Sequence, residues 1–331
     1  MKSTIYHFVL ILTLIVVFTS QLSARILTVT PPSLPQVAQY NTLQAAHDAA
    51  QNGDTIYIYP ALTSYKGAVI SKKITILGAG FNKVTDYSDC SKIASADTLT
   101  FDAGSEGSLI SSIIGNYKIR VKASNIVIQR CKIWSIKLEE NLSDIMILDC
   151  IINNRSSTIN DDSTILVSSN SFALISNNII IGRYDNVIGI RQAGSALIKN
   201  NIIFAYNYSI TCSNSKDVLI INNISISGSG YALSSDAIVQ NSPNLNRMDN
   251  DGNLIDKSWF LDYDNGNYHL NDSSSAKSAG TDGKDLGIYG GDYPFIDDGA
   301  PNLPTVYYIK IPSTGSQKDG LSVEIEAKTN K

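Results

Sequence analysis

The sequence predicts an all-β protein built as a solenoid, in which short strands stack coil upon coil. Its 331 residues include 45 Ile, which favours strands, and 29 Asn, which favours frequent tight turns. Similar short segments recur at spacings of about 20 residues, which is typical of a solenoid repeat. Only 17% of the residues are charged and 43% are hydrophobic, which excludes a disordered chain and a charge-rich coiled coil.

The first 24 residues are expected to be a secretory signal peptide. Lys2 precedes an apolar run from Phe8 to Phe18, which is shorter than the ~20 residues that a membrane-spanning helix needs. Polar residues and then Ala24 follow, as at a signal-peptide cleavage site. An uncleaved N-terminal anchor is the alternative. We therefore expect an exported protein (periplasmic, cell-surface or extracellular) that has no transmembrane segment after signal removal.

Six repeat segments align on two columns of residues that lie three positions apart. One column holds Cys or Asn: Cys131, Cys150, Asn178, Asn201, Asn223 and Asn241. The other column holds Ile in every segment: Ile128, Ile147, Ile175, Ile198, Ile220 and Ile238. The segments alternate in the manner of strands around turns. We therefore predict an internal Ile stack and, at a bend, an internal ladder of Asn side chains that bond to their neighbours.

Motifs on both sides of the repeats carry a resemblance to a known family. Residues 42–50 form a short amphipathic helical pattern, and residues 51–60 turn into a first strand. Residues 72–81 end in a Gly turn, and residues 285–291 read DLGIYGG. With the repeats, these motifs resemble the right-handed parallel β-helix family of pectate-lyase-like secreted proteins over roughly residues 40–296. The resemblance implies a right-handed parallel β-helix solenoid whose N-terminal helix caps the open end of the core.

The predicted organisation has five parts. The signal peptide (1–24) is followed by an N-terminal cap of helix plus first strand (25–59) and by the parallel β-helix coils (60–260). A closing segment of the β-helix (261–296) and a linker with a β-hairpin tail (297–331) complete the chain. Two alternating segments, TVYYIKI and LSVEIEA, predict the hairpin. Because a lone hairpin is marginally stable in water, we expect it to pack on the last coil.

Enzymes of the family that the chain resembles are commonly polysaccharide lyases, hydrolases or esterases. No complete catalytic constellation of this kind is visible: the pair Asp161-Asp162 sits in a loop-like segment, and no His falls within the repeats. We therefore predict a secreted or surface protein, without catalytic activity, that binds glycan or another surface ligand along its sheet face. The alternatives are a polysaccharide lyase-like enzyme acting on an acidic, uronic-acid polysaccharide, and a structural or adhesive spacer. The net charge of −4 excludes a broadly cationic nucleic-acid binder.

A run of basic residues is the main indication of a binding site. Lys118, Arg120 and Lys122 alternate, which places all three on one face of a strand. Such a face attracts an acidic glycan, and a nearby aromatic ring can stack on sugars. The candidate ligand-binding residues are Lys118, Arg120, Lys122, Arg130, Lys132 and Trp134. For the lyase alternative, the candidate bases are Arg120, Lys122 and Arg130. Ordinary solvated charges on an alternating strand are the competing interpretation.

No cofactor is expected to be required, and the one metal candidate is Ca²⁺. Asp262 and Asp264 alternate before a Gly, as oxygen ligands of a hard cation do. The acidic residue of a complete calcium loop is missing, since Ser273 stands at its twelfth position. A structural turn is the alternative.

Cys131 and Cys150 share one ladder column in neighbouring coils. Their expected separation of ~4.8 Å is compatible with a disulfide, and an exported protein can form one. Free thiols buried in the core are the other option. Cys90 and Cys212 have no partner that the sequence identifies, and no paired CxxC spacing predicts a metal site.

Overall fold

The computed structural model describes thirteen stretches of the chain: 24–31, 38–61, 63–80, 97–115, 117–154, 163–182, 188–213, 217–243, 259–263, 267–292, 294–297, 304–311 and 323–329. Within these stretches there is one helix, and nearly all other regular structure is β-strand. Three long sheets contain only parallel strand pairs. The chain therefore folds as a parallel β-helix solenoid, as predicted.

The helix is α1 (Leu43–Ala49). The strands follow in chain order: β1 (Ile26–Val29), β2 (Thr55–Ile58), β3 (Val69–Ile70), β4 (Thr75–Gly78), β5 (Thr98–Phe101), β6 (Leu109–Ser111), β7 (Lys118–Val121), β8 (Val127–Gln129), β9 (Lys132–Ile133), β10 (Ser135–Leu138), β11 (Ile145–Leu148), β12 (Ile151–Asn154), β13 (Ser163–Val167), β14 (Phe172–Ser176), β15 (Ile179–Gly182), β16 (Ile188–Gln192), β17 (Ser195–Lys199), β18 (Ile202–Ala205), β19 (Tyr208–Cys212), β20 (Val218–Ile221), β21 (Ile224–Ser227), β22 (Gly230–Ala232), β23 (Ile238–Gln240), β24 (Phe260–Asp262), β25 (Asn267–Leu270), β26 (Pro304–Lys310) and β27 (Glu324–Thr329).

Each central coil contributes one strand to each of three sheets. The ten-stranded sheet has the order β1-β2-β4-β6-β8-β11-β14-β17-β20-β23. The eight-stranded sheet has the order β22-β19-β16-β13-β10-β7-β5-β3, and the five-stranded sheet has the order β21-β18-β15-β12-β9. Because neighbouring strands lie about 4.8 Å apart, residues in register on successive coils form columns that run along the solenoid.

The inner face of the ten-stranded sheet carries the predicted Ile stack. Ile128 pairs with Ile147, Ile147 pairs with Ile175, and the column continues through Ile198 to Ile220. All five side chains are fully buried. Earlier coils fill the same column with Leu27, Ile56, Ile76 and Ile110. The stack is therefore confirmed over these coils, and it begins earlier than the repeats indicated.

The last coil departs from the predicted register by one residue. Ile220 pairs with Val239, whereas Ile238 pairs with Leu219 and points outward with 56% of its surface exposed. The prediction that Ile238 belongs to the inner stack was therefore wrong. The turn after this strand, described below, gives the reason.

The helix α1 covers the beginning of the core. Thr42 is its N-cap, because the Thr42 hydroxyl accepts a hydrogen bond from the Ala45 N–H at 3.1 Å. Leu43 and Ala46 are buried against the first coil. This agrees with the predicted cap. The strand β1, which precedes the helix and pairs with β2, was not predicted, since the first strand was placed at residues 51–60.

A second hydrophobic core lies outside the solenoid, on the outer face of the five-stranded sheet. The sheet contributes apolar side chains from successive coils: Ile151, Ile179, Ile181, Ile202, Phe204, Ile224 and Ile226. Residues that follow the coils cover them: Trp259, Phe260, Tyr268, Leu270, Ala276, Leu286, Ile288 and Phe295. The predicted closing segment therefore packs along the side of the β-helix.

The strands β26 and β27 pair antiparallel, which confirms the predicted hairpin tail. Val323 and Ile325, the alternating apolar residues of the second segment, are 45% and 59% exposed.

Candidate functional site

The bend between the ten-stranded and five-stranded sheets carries the predicted Asn ladder. Asn178 Nδ2 donates to Asn201 Oδ1 at 3.0 Å, and Asn201 Nδ2 donates to Asn223 Oδ1 at 2.8 Å. Asn201 Nδ2 also donates to the carbonyl oxygens of Ile175 and Lys199, both at 2.9 Å. All three Asn side chains are buried, so their polar groups must be bonded within the protein. The ladder is confirmed for these coils.

Ser242, not Asn241, takes the ladder position in the last coil. The Asn223 N–H donates to the Ser242 hydroxyl at 3.0 Å. Asn241 instead has a φ of +46° and occupies the turn position before the ladder. The prediction that Asn241 belongs to the ladder was therefore wrong, because the same one-residue shift in register affects both Asn241 and Ile238. A lone Asn fits either turn position, because it tolerates the left-handed conformation and can also bond in a ladder.

Cys131 and Cys150 are free thiols in the structure, and both are fully buried. The Cys131 N–H donates to Cys150 Sγ at 3.4 Å, so the sulfur continues the ladder. Burial raises the pKa of the Cys150 thiol well above its ordinary value, and it raises that of Cys212 to about 11. A protonated, buried thiol is a poor nucleophile, so Cys150 and Cys212 have a structural role. Cys90 lies outside the described residues.

The residue before each ladder position forms a second column, which we call the turn column. Its members have φ between +46° and +58°: Arg130, Asp149, Asn177, Asn200, Asn222 and Asn241. Three of them bind residues 271–292, which we call the C-terminal segment. Asn177 Nδ2 donates to Gly287 O at 3.3 Å, and Asn222 Nδ2 donates to Ala279 O at 3.0 Å. Between them, Asn200 Nδ2 donates to Thr281 Oγ1 at 3.0 Å. The turn column therefore holds the C-terminal segment in place.

A basic groove lies on the outer face of the eight-stranded sheet, across β5, β7, β10 and β13. Its volume is about 430 Å³, and its polar lining consists of Thr98, Thr100, Lys118, Arg120, Ser135, Lys137 and Ser163. The register places Arg120 beside Lys137, and Lys118 beside Ser135. Two of the predicted ligand-binding residues therefore meet here. Lys122 follows β7 directly and lies just outside the lining.

Two carboxylates partly neutralise this groove. Arg120 Nε bonds to Glu139 Oε1, and Lys137 Nζ lies 3.3 Å from the same oxygen. Partial burial raises the pKa of Glu139, but the bonds from these two cations lower it by more, so the net shift of the pKa is downward. Lys122 Nζ donates to Asp102 Oδ2 at 3.1 Å. Because the groups are half-exposed, the ion pairs hold the cations in position more than they stabilise the fold.

The other predicted binding residues lie elsewhere. Trp134 stands at the edge of the sheet, where its Nε1–H donates to Asn154 Oδ1 at 2.7 Å, and Lys118 Nζ lies 5.9 Å from its ring centre. Arg130 belongs to the turn column and is only 3% exposed. Lys132 is on β9, in the five-stranded sheet. The basic run therefore divides over the eight-stranded sheet, the five-stranded sheet and the bend between the ten-stranded and five-stranded sheets.

The carboxylates considered from sequence do not form a described cation site. Asp262 lies on β24, while Asp264 and the pair Asp161-Asp162 lie outside the described residues. Within the described stretches, no group of three His, Cys, Asp or Glu side chains is arranged to hold a metal ion. His269 instead bonds to Asp297 through Nε2 at 2.6 Å and stacks on Tyr289 at 3.9 Å between ring centres.

Sequence reasoning missed Asp149, which lines a second groove. This groove, of about 280 Å³, separates the ten-stranded sheet from the C-terminal segment, and Asp282 and Asp292 also line it. Asp149 is 3% exposed, and its Oδ1 atom has no hydrogen-bond partner among the described residues. Burial raises the pKa of Asp149 to about 9, although the nearby Arg130 opposes the shift. The carboxyl group is therefore protonated at neutral pH and can donate as well as accept a hydrogen bond. The sequence did contain a signal for this residue, since Asp149 stands in the turn column where later coils have Asn.

Comparison with known proteins finds no family model that matches the chain and no curated protein that matches it significantly. Within the described part of the chain, no helix is both long and apolar enough to cross a membrane.

Proposed function

We propose that this chain is an exported β-helix protein of the pectate-lyase-like type that binds an acidic glycan in the basic groove. The observation that carries the proposal is the convergence of Lys118, Arg120 and Lys137, from two neighbouring coils, in one groove on a sheet face. The N-terminal segment supports export.

The charge of the groove suits a polyanion. Three cationic side chains of the groove, Lys118, Arg120 and Lys137, stand against the carboxylate of Glu139, which gives these four groups a net charge of +2. The Lys122–Asp102 pair beside the groove adds no net charge. The whole chain has a net charge of −4, so the positive potential is local. A glycan carboxylate would therefore be drawn to this face of the protein.

The groove also offers the polar groups that a sugar chain requires. Thr98 and Thr100 lie beside Lys118 and Arg120 on the neighbouring strand, and Ser135 lies beside Lys118 on the other side, so these hydroxyls can bond to sugar hydroxyls. The four strands beneath the groove span roughly 14 Å along the solenoid, since coils repeat every ~4.8 Å. Glu139 holds Arg120 and Lys137 in place before a ligand binds, which reduces the side-chain entropy that is lost on binding.

The double variant Arg120→Ala/Lys137→Ala is expected to bind oligogalacturonate roughly tenfold or more weakly than the unaltered protein, because two charge-assisted contacts are lost. Isothermal titration calorimetry measures the affinity. Binding to the unaltered protein should weaken as the salt concentration rises, since the contacts are exposed and screened. Neutral maltodextrins of matched length should bind poorly.

The matched control is Lys66→Ala/Lys310→Ala, which removes two exposed cations outside the groove and should leave the affinity unchanged. An equal loss of affinity in both double variants would show that binding depends only on the net charge of the protein, and it would contradict the proposal. The same mixtures, assayed for unsaturated uronic products, test the lyase alternative: product formation that Arg120→Ala abolishes would show that the protein is an enzyme.

A further inference from the structure

Asp54 is a buried carboxylate that is surrounded by hydrogen-bond donors, directly before β2. It is 2% exposed, and its Oδ2 atom accepts bonds from the Gln51 N–H at 2.8 Å and from Arg25 Nη2 at 2.7 Å. Burial raises the pKa of Asp54, but the bonds from Arg25 and from the backbone outweigh it and lower the pKa to about 2. Asp54 is therefore ionised at neutral pH.

The other carboxylate oxygen bonds to the backbone of the same arginine. The Arg25 N–H donates to Asp54 Oδ1 at 2.8 Å. Arg25 directly follows Ala24, the residue after which the sequence predicts that the signal peptide ends. Ala24 and Arg25 are both exposed, so a protease can reach the bond between them. A cut there converts the amide nitrogen into an α-amino group that is already at bonding distance from Asp54.

We propose that the Ala24–Arg25 bond is a processing site and that the new α-ammonium group of Arg25 binds to the buried carboxylate of Asp54. This inference rests on the export proposed above. The mature chain would then begin with a residue that holds Asp54 through two cationic groups, the ammonium on Oδ1 and the guanidinium on Oδ2.

The covalent step is the hydrolysis of one peptide bond by a signal peptidase, with one water molecule. The C–N bond between Ala24 and Arg25 breaks, the carbonyl carbon takes the hydroxyl group, and the nitrogen takes the proton. At neutral pH the new carboxyl group of Ala24 releases a proton and the new amine binds one. The bond from the Arg25 nitrogen to the ionised Asp54 already has a charged acceptor, and after the cut its donor is charged as well, so it becomes an ion pair.

A cut at a neighbouring bond does not give this arrangement. Cleavage one residue earlier leaves the Arg25 nitrogen as an amide and moves the ammonium group away from Asp54. Cleavage one residue later removes Arg25 and leaves the buried carboxylate without either of the cationic groups. The fold therefore favours Arg25 as the first residue of the mature protein, since an uncompensated buried charge is costly.

The test compares two chains that are released from a fusion with defined N-termini, residues 25–331 and residues 23–331. The longer chain retains the amide and guanidinium bonds of Arg25, so only the position of the α-ammonium group differs. Near neutral pH, we expect the unfolding equilibrium constant of the 25–331 chain to be roughly fivefold to thirtyfold smaller. This difference should disappear at alkaline pH, where the α-amino group loses its proton.

Two variants locate the effect. In an Asp54→Asn background, the difference between the two chains should shrink to within error. The matched control Asp48→Asn, which changes an exposed carboxylate on α1, should leave the difference intact. The comparison of the two unsubstituted chains is decisive by itself if the Asp54 variant does not fold.

Equal stability of the two chains near neutral pH would overturn the inference, and so would a difference that persists at alkaline pH. N-terminal sequencing of the exported protein should find Arg25 first, and another first residue would also overturn it. Oligogalacturonate binding is measured separately on the 25–331 chain. A lack of binding would contradict the proposed function but would not affect the stability comparison, and equal stability of the two chains would not affect the binding result.

Discussion

Replacement of Asn201 by Leu is expected to destabilise the protein by roughly 2–4 kcal/mol. Asn201 Nδ2 donates to Ile175 O, Lys199 O and Asn223 Oδ1, and its Oδ1 accepts from the backbone and the side-chain amide of Asn178. Leucine has a similar volume but forms none of these bonds. Each buried group that is left without a partner costs about 1–3 kcal/mol, and the added apolar burial offsets only part of this. The midpoint of denaturant unfolding measures the loss.

Asn153→Leu is the matched control for this substitution. Asn153 is half-buried on β12, and its Oδ1 atom has no hydrogen-bond partner in the part of the chain that the structure describes. Replacing a buried polar group that is already unsatisfied is close to neutral or stabilising, so we expect a change of less than about 1 kcal/mol. An unchanged midpoint for Asn201→Leu, or equal losses for both variants, would contradict a ladder that stabilises the coils.

The ladder and the inner stack could be predicted because both are local patterns that repeat. In three coils the ladder residue is the second of an Asn pair, as at Asn177-Asn178, and its Ile lies three positions earlier. The pattern fails where the pair is incomplete. Asn241 stands alone, so the sequence does not distinguish the turn position from the ladder position, and the hydroxyl of Ser242 takes the latter.

The second core was predictable in principle but was overlooked. Ile179-Ile180-Ile181 forms a continuous apolar run, and a strand with two apolar faces is buried on both sides. The five-stranded sheet therefore needed a cover from elsewhere in the chain. The residues that provide it, such as Phe260 and Leu286, lie far away in sequence and show no periodicity that reveals their partner.

Only part of the basic groove could be predicted, for a geometric reason. Alternation along β7 places Lys118 and Arg120 on one face, which needs only the two-residue period of a strand. Arg130 and Lys132 lie beyond a bend, and the position and direction of the bend depend on turn residues whose left-handed conformation is not visible in the sequence. Lys137 joins the groove through the register of β10 with β7.

Replacement of Asp149 by Asn is expected to stabilise the protein at alkaline pH and to have no such effect in acid. The pKa of Asp149 is about 9 in the folded protein, whereas an unfolded chain releases this proton near pH 3.9. Between these values the folded state binds one proton more than the unfolded state, so stability falls as the pH rises. Asparagine does not titrate, and it suits the left-handed turn, as Asn177 does with a φ of +58°.

The stabilisation by Asn should grow with pH above about pH 4, by up to about 1.4 kcal/mol per pH unit, and level off above about pH 9; below about pH 4 it should vanish, because Asp149 is protonated in both states. Thermal unfolding over this pH range measures it, with Asp144→Asn as the control, because Asp144 also has a positive φ but is exposed. Arg130 and Lys284 both favour the ionised carboxylate, while burial and Asp292 oppose it. If Asp149→Asn is instead less stable than the unaltered protein at alkaline pH, the attraction to Arg130 exceeds the cost of burial, and Asp149 is ionised in the folded protein.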